Sequence, residues 1–475
     1  MTNSIISILP EALMLIFGLI LILIDIVASN NYKSCVGYFG IAFIIIALLF
    51  SIPAASPING FYNTIVWDSF TYVFFLIFAI AYIFTVLSSI SYADKHFTSQ
   101  GEYFLIIFLS IIGMMFMAAA LDLSVFYLGL ETMSISLYLL AGFEKESLKS
   151  NEAGIKYFII GAFSSSIFLF GLSFVYGYVG STRYSDIASM VANNGIDTFN
   201  FKLGLIMMLA GFAFKIAAVP FHMWAPDVYT GSPTPVAGFM TVAPKAAAFA
   251  GLIRFTSIAM DPAIIQWQIF FAILAVATMT YGNLVALAQN NIKRMLAYSA
   301  ISHAGYMLVA FVAANELSYK AVAFYMIIYA FMNIGAFAIL AIIRSKAIID
   351  DENIDNFAGL ARRNPLIALS MMIFMFSLAG IPPLAGFMSK FYVFMSAIRG
   401  GFLWLAIIAI INSAIGCYYY IRVIIYMYFR DPETDIIVAD SYSSYACIFL
   451  TSVLIVLITI FSPIFIGISN SISLY

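Results

Sequence analysis

The sequence predicts an all-α polytopic membrane protein with about fourteen transmembrane segments, two of them broken in mid-span. Three observations carry this reading. Charged residues make up only 9% of the chain and mean hydropathy is +1.03, whereas soluble domains carry about 25% charge. Apolar stretches close to the roughly 20 residues that a span requires recur along the whole chain. Two of these stretches are interrupted by proline with a lysine nearby, where a continuous helix would lose a backbone donor and clash with its preceding turn. The runs show no period-2 alternation, which argues against a β-barrel.

Taken in order, segments at 9–28, 35–52 and 69–91 open the chain and occupy about residues 1–95. The leading stretch "MTNSIISILPEALML" has no basic leader and no small-residue cleavage site, so it is expected to be a retained helix and not a signal peptide. Five segments follow at 103–120, 122–143, 153–179, 202–230 and 233–257. Five more lie at 264–288, 294–314, 317–344, 365–398 and 400–429, and a last one at 445–468. The longest loops, 180–201, 345–364 and 430–444, are too short to form a separate domain, so residues 1–475 read as one membrane domain.

Loop charge sets the expected orientation. Loops after odd-numbered segments hold Lys33, Lys95, Lys145, Lys149, Lys293, Arg294, Arg344, Lys346, Arg362, Arg363 and Arg430. Loops after even-numbered segments hold Arg183, Lys202, Arg254, Lys320 and Arg399. This asymmetry places the odd loops in the cytoplasm (or matrix) and both termini on the opposite, periplasmic side. A net charge of −2 offers no basis for nucleic-acid binding. Cys35, Cys417 and Cys447 are isolated and form no iron–sulfur or disulfide spacing.

The seventh segment breaks at "AAVPFH" and the twelfth at "LAGIPPLAG". Broken spans at corresponding places in two halves point to an inverted repeat, with ordinary proline kinks as the alternative. Pro220 and Pro382 mark the two breaks. Lys215 precedes the first and Lys390 follows the second, as expected of an upside-down copy.

Charges inside a bilayer cost roughly 2.5–3.5 kcal/mol each even on the lenient insertion scale, so they mark function or tightly paired structure. Glu131 is central in the fifth segment, Lys215 in the seventh, Lys245 in the eighth and His303 in the tenth, and Lys390 lies past the twelfth-segment break. On packed helices they would form a row in the membrane plane. Lys156, Lys202 and Lys320 lie near segment ends, where snorkelling to the interface is a sufficient explanation. His222, inside the first break, is a candidate either for function or for bonding the carbonyls freed there. Burial lowers a lysine pKa and a nearby carboxylate raises it, so a buried lysine with a movable carboxylate neighbour can load and release a proton. Histidine titrates near neutrality unaided. The breaks expose backbone that only protein or water can satisfy, which makes them places for water and for hinging. His222 and His303 form a poor haem pair, and no nucleotide loop or metal-ligand cluster is present in the sequence.

The stretches "YLGLETMSISLYLLAGF" (127–143), "KIAAVPFHMWAPDVYTGSPTPVAGFMTVAPKAA" (215–248), "NIKRMLAYSAISHAGYML" (291–308) and "LAGIPPLAGFMSKFYVF" (378–394) resemble the antiporter-like membrane subunits of proton-pumping NADH–quinone oxidoreductase, respiratory complex I, and of the Mrp cation/proton antiporters. Within that group the wording is similar to subunit N, whose mitochondrial counterpart is NADH dehydrogenase subunit 2. The resemblance implies fourteen helices with two inverted five-helix repeats, at about 103–257 and 264–429. It implies proton translocation through Glu131, Lys215, Lys245 and Lys390, with His303 and Lys156 as further members. It places NADH, flavin, iron–sulfur clusters and quinone in other subunits, and makes subunit M and small membrane subunits the expected neighbours in a bacterial inner membrane (alternatively, the mitochondrial one). Lysine at position 390 departs from subunit M, which typically has glutamate there. The short tail after the last segment departs from subunit L, which carries a long lateral helix. A cation/proton antiporter subunit and a purely structural membrane-arm subunit are the alternatives.

Overall fold

The computed structural model describes residues 2–29, 32–52, 57–97, 99–345, 352–432, 436–463 and 466–467. Lys346 and residue 468, the end of the last expected segment, lie outside the described residues. The chain opens with α1 (Thr2–Val27) and α2 (Cys35–Phe50), then the hairpin β1 (Ile58–Gly60) and β2 (Ile65–Trp67). There follow α3 (Ser69–His96), α4 (Gln100–Ala119), α5 (Leu123–Ala141), α6 (Leu148–Val179) and the short α7 (Tyr184–Asn194). The first broken span is α8 (Phe199–Lys215) plus α9 (Trp224–Gly231). It leads to α10 (Thr234–Ile258), α11 (Ile264–Leu287), α12 (Ile292–Ala313) and α13 (Glu316–Ile342). Next come β3 (Ile343–Ser345) and α14 (Leu360–Arg363), and then the second broken span, α15 (Pro365–Ala379) plus α16 (Ala385–Arg399). Finally α17 (Leu403–Phe429), β4 (Ile436–Val438) and α18 (Tyr442–Ile460) close the described fold.

Among the described residues, eleven helices are long and apolar enough to cross a membrane, and Cys35–Phe50 and Pro365–Ala379 are shorter apolar helices. Three spans, α10, α12 and α13, are wholly enclosed by the others. Their sequences explain this: runs such as "AAAFAG" in α10 are small enough for neighbouring backbones to approach closely. The same device joins α4 to α5, where a Cβ on Gly113 would stand 2.5 Å from the Met133 amide nitrogen. The peripheral helices α1, α6 and α17 instead present large side chains outward, among them Leu19, Phe163 and Ile411.

Two features depart from the sequence reading. The 180–201 loop contains α7, and four three-residue strands form two antiparallel ladders, with Asn59 opposite Val66 and Arg344 opposite Ile437. These elements tie loops together at the two ends of the bundle. On one end, isolated bridges join Ile65 to Ala120 and Asp122 to Arg183; on the other, Asn291 joins Asn353.

Arg254 is not a loop residue: it is fully buried in α10, and its guanidinium makes two 2.9 Å bonds to the Asp68 carboxylate and a 2.8 Å bond to the Ala118 carbonyl. Asp68 also caps α3 through the Thr71 amide. Removing Arg254 from the even loops leaves four charges there. Lys293, from the odd set, is buried as well, donating to the Ser232 carbonyl at 2.7 Å and standing 3.3 Å from Glu352.

Candidate functional site

The two breaks end their first half-helices in the same way. After α8, Ala217 takes a left-handed φ of 57°, and the Ala218 amide donates back to the Ala213 carbonyl at 2.8 Å. After α15, Gly380 takes φ 81°, and the Ile381 amide donates to the Phe376 carbonyl at 3.0 Å. In both, the left-handed residue also donates to the carbonyl three positions earlier, completing a Schellman cap. Matching Ala217 with Gly380 sets Pro220 opposite Pro383, one residue beyond the Pro382 expected from the sequence. Side chains satisfy other freed groups: Thr278 accepts from the Val219 amide at 2.9 Å, and Trp224 donates to the Phe214 carbonyl at 3.3 Å. At the second break, Ser377 accepts from the Gly386 amide at 3.1 Å.

Lys215 is the last residue of α8 and is 5% exposed. Its ammonium donates to the Ser134 hydroxyl at 2.8 Å and lies 5.8 Å from the Tyr138 ring centre. Ser134 sits one helical turn from Glu131 on the same face of α5. The expected carboxylate is therefore near but not bonded. Among the described residues no ion pair joins Glu131 to Lys215, and Glu131 Oε1 is buried without a hydrogen-bond partner.

Aromatic rings continue the path from there. Tyr138 meets Tyr157 edge-on at 4.8 Å, Tyr157 stacks on Trp224 at 4.6 Å, and Trp224 meets Tyr229 at 5.6 Å. Lys245 is fully buried, 6.0 Å from the Tyr229 ring, and donates to the Ala300 carbonyl at 2.6 Å. Pro244 beside it has no amide hydrogen to give the Met240 carbonyl, and the Tyr229 hydroxyl donates there instead at 3.4 Å.

Ala300 is one turn from His303, which is enclosed between two phenols. Its Nδ1 lies 2.6 Å from the Tyr325 hydroxyl and its Nε2 lies 3.0 Å from the Tyr420 hydroxyl, which also bonds Ser299. Tyr306, a turn further along α12, receives a 2.9 Å bond from Asn283 and lies 5.0 Å beneath the Lys390 ammonium. Lys390 is buried and donates to the Ala379 carbonyl and the Ser413 hydroxyl, each at 2.9 Å. The Ala379 carbonyl is one of those freed at the second break.

Lys215, Lys245, His303 and Lys390 thus lie along one row of polar and aromatic neighbours, and Glu131 stands one helical turn from Ser134 at its start without a bond to it. His222 and Lys156 do not join it. His222 is buried beside Tyr281 at 4.5 Å with Nδ1 unpartnered. Lys156 stands at an outer ion cluster, 2.7 Å from Glu152 and 3.1 Å from Asp227, whose other oxygen meets Arg294 at 3.0 Å. Lys202 and Lys320 are likewise paired near helix ends, with Asp197 and Glu316. The sequence reading missed the tyrosines, Asn283 and Glu11. Glu11 is fully buried in α1 with both carboxylate oxygens unpartnered, and an acid inside the first apolar segment was the signal that marked it.

Known proteins share this fold. Residues 120–416 match the family described as NADH:quinone oxidoreductase/Mrp antiporter, transmembrane. The chain is 46% identical to NADH-quinone oxidoreductase subunit N of Trichlorobacter lovleyi, over 90% of this chain and 88% of that protein. It superposes on a chain of respiratory complex I from Thermus thermophilus with bound aureothin, at TM-score 0.80 and 29% identity, covering 96% of this chain and 98% of that one. A chain of the Mrp complex from Dietzia sp. shares the fold at TM-score 0.82 and 17% identity, covering 98% and 96% respectively. The chain therefore belongs to the NADH:quinone oxidoreductase/Mrp antiporter transmembrane family, and within it to the subunit N proteins of NADH-quinone oxidoreductase.

Proposed function

We propose that this chain is a proton-translocating, non-redox subunit in the membrane arm of an NADH:quinone oxidoreductase, and that protons move along the row from Glu131 to Lys390. The single observation that carries this reading is the placement of three buried lysines and a histidine along one row, joined by aromatic rings and by one turn of α12. A structural ion-pair network would put each ammonium on a carboxylate. Here Lys215, Lys245 and Lys390 bond hydroxyls and backbone carbonyls, partners that tolerate either protonation state of the amine.

In this reading Glu131 receives the driving charge change and alters the proton affinity of Lys215 from one helical turn away. The break after Lys215 hinges and hydrates that lysine. Tyr229, Lys245, His303 and the phenols around it pass protons inward, and Lys390 releases them at the second break. Fourteen crossings result if α2, α8 with α9, and α15 with α16 are counted with the eleven long spans. The shared Schellman caps support two inverted five-helix repeats, 103–257 and 264–429. The loop-charge asymmetry supports odd loops in the cytoplasm and periplasmic termini of a bacterial inner-membrane protein. NADH, flavin, iron–sulfur clusters and quinone belong to other subunits, with subunit M and small membrane subunits as neighbours.

The test is NADH-driven acidification of inverted membrane vesicles, with sodium replaced by potassium. Acidification that persists without sodium is the expected result. Strict dependence on sodium would identify a cation/proton antiporter instead.

A further inference from the structure

Between His303 and Lys390 the row passes through a side-chain amide. His303 spends both ring nitrogens on phenols, Tyr325 at 2.6 Å and Tyr420 at 3.0 Å, so neither nitrogen is left to bond Tyr306, the ring beneath Lys390. The polar route from Tyr420 to Tyr306 runs instead through α17 and α11. The Tyr419 ring lies 4.3 Å from that of Tyr420, and its hydroxyl faces the Tyr420 hydroxyl. Tyr419 donates to Asn283 Oδ1 at 3.0 Å, and Asn283 Nδ2 donates to the Tyr306 hydroxyl at 2.9 Å. Asn283 is buried on α11 and is the single link between the two phenols.

The second hydrogen of this amide fixes its orientation. Nδ2 also lies 3.1 Å from the Asn412 backbone carbonyl, an atom that can only accept. The nitrogen therefore faces Asn412 and Tyr306, and the oxygen faces Tyr419. Asn412 is itself tethered, its side chain donating to the Thr280 hydroxyl at 3.2 Å and to the Ile408 carbonyl at 3.0 Å. Gly416, one turn further along α17, leaves the space the amide needs, since a Cβ there would stand 3.0 Å from Asn283 Oδ1. A hydroxyl relays protons because one oxygen both accepts and donates. A primary amide does not, because its nitrogen only donates and its oxygen only accepts. The Tyr419 proton is thus committed to an oxygen that cannot pass it on, and Tyr306 receives a hydrogen that the amide nitrogen does not release.

We propose that Asn283 is a gate in the row: a positioning residue that holds the hydrogen-bonded chain between His303 and Lys390 together while keeping it closed to protons. The proposal rests on the proton path from Glu131 to Lys390. At rest, the half with Lys245 and His303 and the half with Lys390 hold their protons separately. A proton crosses when α17 shifts against α11 and the amide lets go of Tyr419 or Tyr306. Such a block is what a pump needs at its centre, because a row that relayed protons at all times would let them run back down their gradient. It also explains a non-titrating side chain where every neighbour on the route is a phenol, a hydroxyl or an imidazole.

The test uses the intact complex carrying this chain, purified and reconstituted into liposomes with an internal pH dye. Two rates are read per assembled complex: NADH-driven proton pumping, and the collapse of an imposed pH gradient without NADH. Asn283→Asp and Asn283→Ser put a group that both accepts and donates at the gate, and the smaller serine guards against failed assembly of the aspartate variant. Asn283→Leu removes the link without supplying a relay. The expected result is a several-fold faster passive collapse with Asp and Ser, and fewer protons pumped per NADH. Leu is expected to pump poorly from vesicles as tight as wild type, and adding Tyr306→Phe to Asn283→Ser should restore tightness. A purely structural asparagine would lower pumping alike in all three variants and leave every vesicle tight, which would overturn the proposal. Lys245→Ala in the same liposomes separates the two readings. If it loses pumping while the Asp and Ser variants match wild type in both rates, the gate alone is wrong; if it pumps like wild type, the path itself is wrong and the gate falls with it.

Discussion

At the scale of single residues, the buried amines are defined by what they touch. Lys390 holds a carbonyl and a hydroxyl, both of which accept from either an ammonium or a neutral amine. Arginine at this place would keep its charge at all working pH values and could not release a proton. Lys390→Arg is therefore expected to assemble yet pump on the order of tenfold less than wild type, whereas Lys390→Glu, which still titrates, retains more activity. NADH-driven acidification per assembled complex is the measurement, and wild-type pumping by Lys390→Arg would remove the relay role from this residue. His303 makes a milder case. Tyr420→Phe deletes the hydroxyl at its Nε2 but leaves Tyr325 at Nδ1, so a partial loss is expected in the same assay. The lysines were legible in the sequence because each is a costly charge in an apolar run. The tyrosines were not, since 29 of them are spread along the chain and only packing decides which face inward. Arg254 misled for the opposite reason: it lies near a segment end, and its partner Asp68 is far away in sequence.

At the scale of helices, the breaks and the buried Arg254–Asp68 pair govern behaviour. Gly380 is left-handed, and a Cβ there would stand 2.8 Å from Lys390 Cδ. Gly380→Ala should therefore strain the cap and displace the lysine, lowering pumping, while Ala217→Gly at the equivalent cap should be tolerated. Paired acidification assays on the two variants check this; similar losses in both would mean the caps respond to any change. Asp68→Ala leaves the buried guanidinium without its carboxylate and uncaps α3. The expected cost is about 3–5 kcal/mol, seen as a lower amount of assembled complex or a lower melting temperature. Both breaks were evident from their prolines, but the one-residue shift from Pro382 to Pro383 was not. It depends on where the cap forms, and alanine at position 217 gives no glycine signal for a left-handed residue.

At the scale of the whole molecule, helix positions followed from the apolar runs, and α11 and α13 lie within two residues of their expected ends. The hairpin ladders and α7 were hidden because they depend on contacts between loops distant in sequence. Orientation is tested by labelling single cysteines near residue 440 and near Arg363 in intact cells with an impermeant thiol reagent. Both are expected to be protected from outside, with a cysteine near the N-terminus labelled. Coupling across the row is tested by Glu131→Ala and Lys215→Ala, alone and together. Each single change should sharply reduce pumping, and the double change should cost less than the sum. The most direct test of the central claim concerns Lys245, the fully buried midpoint of the row. Lys245→Ala is introduced, the assembled complex is quantified, and NADH-driven acidification of inverted vesicles is measured per complex. Normal assembly with acidification reduced on the order of tenfold or more is the expected result. Acidification at the wild-type level from fully assembled Lys245→Ala complex would contradict a proton path through this row.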